Sequence, residues 1–310
     1  MMQNEKYDLL IIGSGPAGLN AALYASRANL KVGFVEKGAP GGKLSTTSKV
    51  ENWLGTKMID GAALALEFFD HAQAYGAQYI YGEVASIKSH SLFDKEVLLK
   101  DGKVLKAKTI LIATGMVNRV PTFIKNIDSF LNRGVSFCAI CDGPLYGKNP
   151  TIVLGGGNSA VEESAYLSKI ASEVHLVVKE ASFRAEPSLV DDLKKLPNVH
   201  IYMESEIKEL RGESNLESAV IVDKNGVEKE IKVASFFPYI GFIPAADFAK
   251  ELNILDDKGF IPTNESMETS VRGIFAAGDI RSKEIRQIIT AASEGAMAAK
   301  KISDLLNSSN

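Results

Sequence analysis

Two short glycine clusters, each set between an apolar run and a helix-forming stretch, constrain the fold of this 310-residue chain more than any other feature. The first reads GSGPAG over Gly13–Gly18. It follows the apolar run Tyr7–Ile12 and precedes Leu19–Ala28, which has helical composition. A second apolar run, Lys31–Val35, then ends at Glu36, 18 residues beyond Gly18. In a dinucleotide fold Gly13 permits the tight turn, Gly15 lets a pyrophosphate approach the backbone, and Gly18 lets helix and strand pack closely. An acid about 20 residues on accepts the ribose hydroxyl, and the free N–H groups of the helix face the phosphates. The pattern then repeats. Thr151–Leu154 is an apolar strand, GGGNSA occupies Gly155–Ala160, Val161–Ile170 has helical composition and Glu173–Val178 is a strand. Gly155, Gly157 and Ala160 spell the alternative ending of the same fingerprint, with Asn158 and Ser159 inside its candidate phosphate loop.

Two fingerprints in one chain imply two dinucleotides, and a protein holding two usually passes a hydride from a nicotinamide to a flavin. Between the repeats Thr109–Gly115 (TILIATG) reads as a buried strand ending in a glycine turn. Much later Gly273–Asp279 (GIFAAGD) reads as another, followed from about Gln287 by a helix of small residues. The first unit therefore lacks its last strand and helix until the second is complete. The expected fold is α/β, with two Rossmann-like dinucleotide-binding domains, the second (118–242) inserted into the first (1–117 and 243–310). At roughly 150 residues per domain the length agrees with two. The short polar tail Asn307–Asn310 is expected to fray.

The only two cysteines, Cys138 and Cys141, lie in FCAICDG at Phe137–Gly143, with Asp142 beside them. Half of a zinc site, a redox dithiol and a coincidence of buried small residues compete. Zinc needs four ligands, yet the four histidines, His71, His90, His175 and His200, are scattered without paired spacing, so no metal is expected. Coincidental packing leaves the adjacent acid unexplained. A C-x-x-C loop lowers one thiol pKa and closes easily to a disulfide, and Asp142 can supply or accept the accompanying proton. The redox reading is favoured. Two cysteines also fit a reducing cytosol, and the uninterrupted apolar stretch Leu9–Ile12 follows Glu5, Lys6 and Asp8, so it reads as a buried strand and not as a signal peptide. The net charge of −3 gives no general attraction to nucleic acid or anionic membrane, and no apolar run approaches the ~18 residues of a membrane span.

The succession GSGPAG, GGKLSTTSKVENWLG, ATG, GVSFCAICDG, GGGNSAVEES, FRAEP and FAAGDI…RQIITAA resembles the low-molecular-weight thioredoxin reductases through essentially the whole chain. The resemblance implies that the first fingerprint and Glu36 hold FAD, with Gly41, Gly42 and Asn52 along the flavin and its ribityl chain. It puts Val84 at the adenine and Thr114–Gly115 beneath the dinucleotide. Gly278 and Asp279 match the segment that binds the ribityl and phosphate region, and Arg286, Gln287 and Ile288 match the helix start beneath the flavin ring. A helix N-terminus there favours the negative charge of a reduced flavin. Trp53, the only tryptophan, is read as packing.

The implied path runs from NADPH to FAD, to the Cys138–Cys141 disulfide, and on to thioredoxin or a similar small disulfide protein. The resemblance also implies that the second domain swivels, with crossings expected near Met116–Val117 and Gly241–Pro244. A homodimer is implied by resemblance, the cytoplasm is expected from the cysteine content, and Arg133 and Pro144–Leu145 resemble the family's thioredoxin contacts. Three segments depart from the pattern: Lys43 replaces a glutamine, MVNRVPTF after Gly115 lacks the usual Gly-Glu turn, and Glu180 replaces an arginine at the 2′-phosphate of NADPH. Lys179 and Arg184 keep the family's spacing there, so NADPH is expected to be only slightly preferred, with NADH admitted. The alternatives are a related flavoprotein disulfide reductase with another donor or acceptor, and a flavin-binding redox sensor that does not turn over. Reductases of peroxide-reducing systems usually carry an extra thioredoxin-like region, for which Met1–Tyr7 leaves no room.

Overall fold

The computed structural model describes residues 6–47 and 49–308, which divide into two compact units, 6–117 with 243–308 and 118–242. In the first unit β1 (Lys6–Ile12) runs through the glycine cluster into α1 (Pro16–Arg27), and β2 (Val32–Glu36) returns parallel to β1. Then come α2 (Gly61–Ala74), β3 (Gln78–Tyr81), β4 (Val84–Ser91), β5 (Asp94–Leu99) and β6 (Val104–Ile112). Proline opens α1 because its fixed φ suits the first helical position and its missing N–H would have no partner there. Asp60 caps α2 by accepting from the Ala63 amide at 3.1 Å.

The chain leaves through β7 (Met116–Asn118) and forms the one-turn helix α3 (Ala139–Asp142). It continues through β8 (Thr151–Leu154), α4 (Asn158–Leu167), β9 (Val174–Val177), α5 (Pro187–Lys194) and β10 (Val199–Tyr202). Three further strands, β11 (Ser205–Arg211), β12 (Ser218–Asp223) and β13 (Glu228–Lys232), form an antiparallel meander. β14 (Ser235–Pro238) then closes the parallel sheet β10-β9-β8-β14. The return strand β15 (Phe242–Pro244) pairs with β7, after which β16 (Ile274–Ala276) and α6 (Ile288–Asn307) finish the first unit.

The seven-stranded sheet of that unit has the order β3-β2-β1-β6-β5-β4, and β16 also pairs with β6. β6 is long enough to serve two partners. Val104–Ala107 pairs antiparallel with β5, while Ile110–Ile112 pairs parallel with β16. Strand alternation splits the core in two. Leu9, Ile11 and Phe34 face α1 and α6, while Leu10, Ile12 and Ile110 face a second cluster with Ile261 and Ile274. Both faces are covered, which is why β1 and β2 read as continuous apolar runs. α6 approaches α1 so closely that a Cβ on Gly295 would stand 2.1 Å from the Ala17 carbonyl oxygen. The small-residue composition of the last helix is thus a packing requirement.

Within 118–242 the parallel sheet is likewise covered on both faces. α4 and α5 pack with Val153, Leu176 and Phe237, and the meander packs with Ile152, Leu154 and Phe236. The observed helices begin at the glycine clusters themselves, at Pro16 and Asn158, a few residues earlier than their apolar periodicity suggests. The strand expected over Gly273–Asp279 is confined to Ile274–Ala276, leaving Gly278 and Asp279 in the turn after it. Of the tail, Asn307 ends α6, and Ser309 and Asn310 lie outside the described residues.

Candidate active site

The first glycine cluster joins β1 to α1 with Gly13 at φ +100°, a conformation side chains rarely adopt. A Cβ on Gly18 would stand 2.0 Å from the Gly13 carbonyl oxygen, whereas one on Gly15 would meet only the Gly41 carbonyl, at 4.0 Å. α1 has no side-chain cap at Gly15, so its first amides have no side-chain acceptor. The residues present therefore fit a pyrophosphate: the backbone is open at Gly15 and aims uncapped N–H groups outward. Glu36 ends β2 and is fixed by four donors. Its Oε2 accepts from Ser14 N at 3.0 Å and Ser14 Oγ at 2.9 Å, and its Oε1 accepts from the Lys37 and Gly38 amides at 2.8 and 3.0 Å. Three of these donors are backbone. Only the Ser14 hydroxyl can rotate away and free an acceptor position for a ribose hydroxyl.

Gly41 and Gly42 sit at φ +108° and +57°, and the Gly41 amide donates to the Ser14 carbonyl at 2.8 Å, tying this loop to the fingerprint. Asn52 Nδ2 donates to Gln287 Oε1 at 3.0 Å, and Gln287 caps α6 through a reciprocal pair with Thr290. Ile288, the first residue of α6, packs on Leu44, Val50 and Leu64. Thr114 donates its hydroxyl to the Ala245 carbonyl at 2.7 Å, Gly115 lies in the left-handed region, and Val84, the first residue of β4, is buried in the core. Asp279 is paired with Lys43 at 3.0 Å, while Arg286 lies 4.5 Å over the Phe260 ring and donates to the Asp279 carbonyl. Glu294 of α6 holds the turn ahead of Asp279. Its Oε2 accepts from the Gly278 amide at 2.7 Å, and its Oε1 pairs with Arg281 at 2.8 Å and Lys283 at 3.1 Å.

In the second unit Cys138 and Cys141 form a disulfide with Cα atoms 5.3 Å apart. Cys138 caps α3, its Sγ accepting from the Cys141 amide at 3.1 Å. Cys141 is exposed and Cys138 half-buried. The buried Ser136 donates to Asp142 Oδ2 at 2.6 Å and accepts from the Cys138 amide at 3.1 Å, so it couples the acid to the cysteine backbone. Ala139, between the cysteines, donates its amide to the Tyr239 hydroxyl at 3.2 Å. Burial first, and then the charge of Glu163, hold the Tyr239 phenol far above its ordinary pKa, so it stays neutral. Glu163 on α4 has a buried oxygen without a hydrogen-bond partner, and burial, with Glu162 adding, pushes its carboxyl up to about 7. Arg133, Pro144 and Leu145 are all exposed, and the Gly134 backbone bonds to the Tyr146 phenol, linking the two turns that carry them.

The second fingerprint repeats the first. Gly155 N donates to the Val177 carbonyl at 3.0 Å just as Gly13 N donates to Val35 at 2.9 Å. Ala160 lies beneath Gly155, while at Gly157 a Cβ would meet nothing within 4 Å. Gly157, Asn158, Ser159 and Arg184 line a cavity of about 280 Å³ with Tyr239 and Gly241. Asn158 clamps Glu186 by accepting from its amide at 2.9 Å and donating to its carboxylate at 3.2 Å. Lys179 pairs with Glu206 at 2.6 Å, and Arg184 with Glu180 at 3.2 Å. Among the described residues no cluster of His, Cys, Asp and Glu is arranged to hold a metal, and no helix is long and apolar enough to cross a membrane.

Ser14, Ser136, Glu163, Tyr239, Glu206 and Glu294 escape a reading of the motifs alone. Ser14, Ser136 and Glu163 carry a signal, by lying within quoted motifs; Tyr239, Glu206 and Glu294 carry none.

Residues 7–295 match the family model described as pyridine nucleotide-disulphide oxidoreductase. The thioredoxin reductase of Mycoplasmopsis pulmonis is 53% identical over 300 residues, covering 97% of each chain, and that of Bacillus subtilis is 38% identical over 97% of this chain and 95% of its own. Among solved structures, thioredoxin reductase of Lactococcus lactis superposes with a TM-score of 0.90 at 35% identity, covering 98% of this chain and 100% of that one. The T. acidophilum enzyme gives 0.87 at 31% identity, covering 97% and 99%. With paired fingerprints, a close cysteine pair and this likeness along nearly its full length, the chain belongs to the pyridine nucleotide-disulphide oxidoreductases and, among them, to the thioredoxin reductases.

Proposed function

We propose that the chain moves electrons from NADPH through FAD to the Cys138–Cys141 disulfide and from there to the disulfide of thioredoxin. The observation that carries this reading is the disulfide at the start of α3, with an acid held beside it by Ser136, in a chain with two dinucleotide fingerprints. Residues 6–117 with 243–308 would hold FAD: the open backbone at Gly15 and the α1 amides take the pyrophosphate, and Glu36 takes the ribose. Gly41, Gly42, Asn52, Thr114, Gly115, Asp279 and the α6 start at Arg286–Ile288 surround the rest, with Val84 beneath. When bound, the flavin accepts a hydride from the nicotinamide and gives up two electrons to a disulfide. Residues 118–242 would take the nicotinamide nucleotide at Gly155–Ala160, Lys179 and Arg184.

Reduction of the Cys138–Cys141 disulfide consumes two electrons and two protons and leaves two thiols. Asp142 is the proton-transfer group, kept in place by the 2.6 Å bond from Ser136. The exposed Cys141 is the sulfur a protein disulfide can reach. Its thiolate attacks one partner sulfur, forming a mixed disulfide and releasing the other as a thiol after protonation. Cys138 then attacks Cys141 Sγ, restoring the intramolecular disulfide and expelling the second partner thiol. The Cys141 amide that donates to Cys138 Sγ at 3.1 Å stabilises negative charge there for that second step. Arg133 and exposed Leu145 supply a partner contact of one charge and one apolar side chain. Leu54, Met58 and Ile289 are exposed beside the cluster that contains Trp53, Ile59 and Ile288, the kind of apolar surface a homodimer covers. The reducing cytoplasm is the matching compartment.

The test separates the half-reactions. Purified protein should be yellow and release FAD on denaturation. Cys138→Ser and Cys141→Ser should each abolish thioredoxin reduction while leaving bleaching of the flavin by nicotinamide nucleotide largely intact in stopped flow. A colourless protein that cannot be reconstituted, or a variant that still reduces thioredoxin at the normal rate, would refute the reading.

A further inference from the structure

We propose that the nucleotide site of residues 118–242 also serves the dinucleotide with an unphosphorylated ribose, NADH, comparably to NADPH, and that Glu180 and Glu206 set this choice. The inference rests on the reading that this unit binds the nicotinamide nucleotide. Three observations converge on it.

The first is where the carboxylate of Glu180 lies. In the first fingerprint the acid that ends β2 sits over the second residue of the cluster, Glu36 accepting from both Ser14 N and Ser14 Oγ. In the second, the residue in register with Glu36 is Val178, which is fully buried and has nothing to offer a ribose. Glu180, two residues further on, takes its place. Its Oε2 would stand 3.6 Å from a Cβ built on Gly156, the residue equivalent to Ser14. A carboxylate over that position accepts a ribose 2′-hydroxyl and repels a 2′-phosphate.

The second observation concerns the cations. Lys179 and Arg184 are the basic groups beside this fingerprint, and each already has a carboxylate: Glu206 at 2.6 Å for Lys179 and Glu180 at 3.2 Å for Arg184. Four groups cancel to no net charge where a 2′-phosphate would bring about two negative charges. To grip that phosphate, either cation must give up its partner.

The third observation sets how far the preference goes. All four side chains are substantially exposed, and such pairs open readily. Lys179 and Arg184 can therefore still turn to a phosphate, so NADPH is admitted without being strongly selected.

The experiment uses the FAD-loaded full chain and two kinds of probe. Calorimetry with 5′-AMP and with 2′,5′-ADP reads the ribose site without turnover, and anaerobic flavin reduction by NADH and by NADPH reads the whole nucleotide. In the wild-type protein the two members of each pair should differ by less than about tenfold. E206Q frees Lys179 and should tighten 2′,5′-ADP by about tenfold, with a matching rise in kcat/KM for NADPH. E180Q should do the same and also weaken 5′-AMP and NADH. A wild-type preference for the phosphorylated member beyond about tenfold overturns the proposal, as does a pair of variants that leave the 2′,5′-ADP to 5′-AMP ratio unmoved. Should no adenine nucleotide bind while the flavin and dithiol stay active with an artificial reductant, the assignment of a nicotinamide site to this unit falls along with it.

Discussion

Replacing Glu163 with glutamine changes one buried charge beneath the redox loop and little else. The carboxyl lies on α4, one of its oxygens has no donor, and burial raises its pKa from the ordinary 4.5 to about 7. The sign of the linked stability follows from which state holds the proton. Below pH 4.5 both folded and unfolded chains are protonated at this site and nothing is lost. Between 4.5 and 7 the unfolded chain ionises while the folded one keeps its proton, so stability falls as pH rises. Above about 7 the folded chain carries the charge and the penalty is complete. A displacement of that size is worth about 3 kcal/mol, and glutamine escapes it because it never ionises. Glu163→Gln should therefore differ little from wild type at about pH 5, apart from any constant packing offset, and gain about 3 kcal/mol on it by about pH 8.5. A chain of two units need not unfold in one step, so the local readout is hydrogen exchange in peptides covering residues 139–146 and 158–167, corrected for intrinsic rate at each pH. A wild-type to variant difference that stays flat across that pH range would refute the reasoning, because Glu163 would then titrate alike in both states.

Two further variants probe the redox loop. Ser136→Ala removes the bond that holds Asp142, a charge-assisted contact worth about 1.5–3 kcal/mol, so turnover with thioredoxin should fall by about tenfold or more and its pH profile should move. Ser136→Thr should restore much of both, and an unchanged profile in the alanine variant would remove Ser136 from proton handling. Arg133→Ala should raise the KM for thioredoxin more than it lowers kcat, since the side chain is exposed; an unaltered KM would take it out of the docking surface.

The parts of the fold that glycine and periodicity encode locally are legible in the sequence. A turn with φ of +100° at Gly13 and a Cβ-free crossing at Gly18 leave few alternatives, and the buried runs on either side follow from a sheet covered on both faces. The insertion is legible because GIFAAGD repeats the buried-strand character of TILIATG so late in the chain; these become β16 and β6, paired in parallel. The antiparallel additions are not. The β4–β5 hairpin turns at Leu92–Phe93, which carry neither the glycine nor the asparagine that marks a two-residue turn. In β13 four of five residues, EKEIK, are exposed, so alternation has almost no apolar signal to show.

The candidate site divides along a different line. Residues within a motif are found from the motif, but the groups that support them arrive from strands distant in sequence. Tyr239 lies 98 residues beyond Cys141, yet it directly follows β14, which pairs with β8 in parallel; its amide donates to the Leu154 carbonyl at 2.7 Å. It therefore has to emerge at the same sheet end as Gly155. The same logic places Glu36 at the end of β2 and Asp279 after β16 in one sheet, and Lys179 and Glu180 after β9 in the other, since parallel strands deliver their carboxyl ends to one edge of their own sheet. Strand order is what converts these scattered positions into neighbours, and strand order depends on pairing that no local pattern fixes. Glu206 marks the limit of the motif approach. It sits on the antiparallel meander, outside both fingerprints, and still decides whether Lys179 is available to a phosphate. A substitution there would change nucleotide choice while every recognisable motif stayed intact.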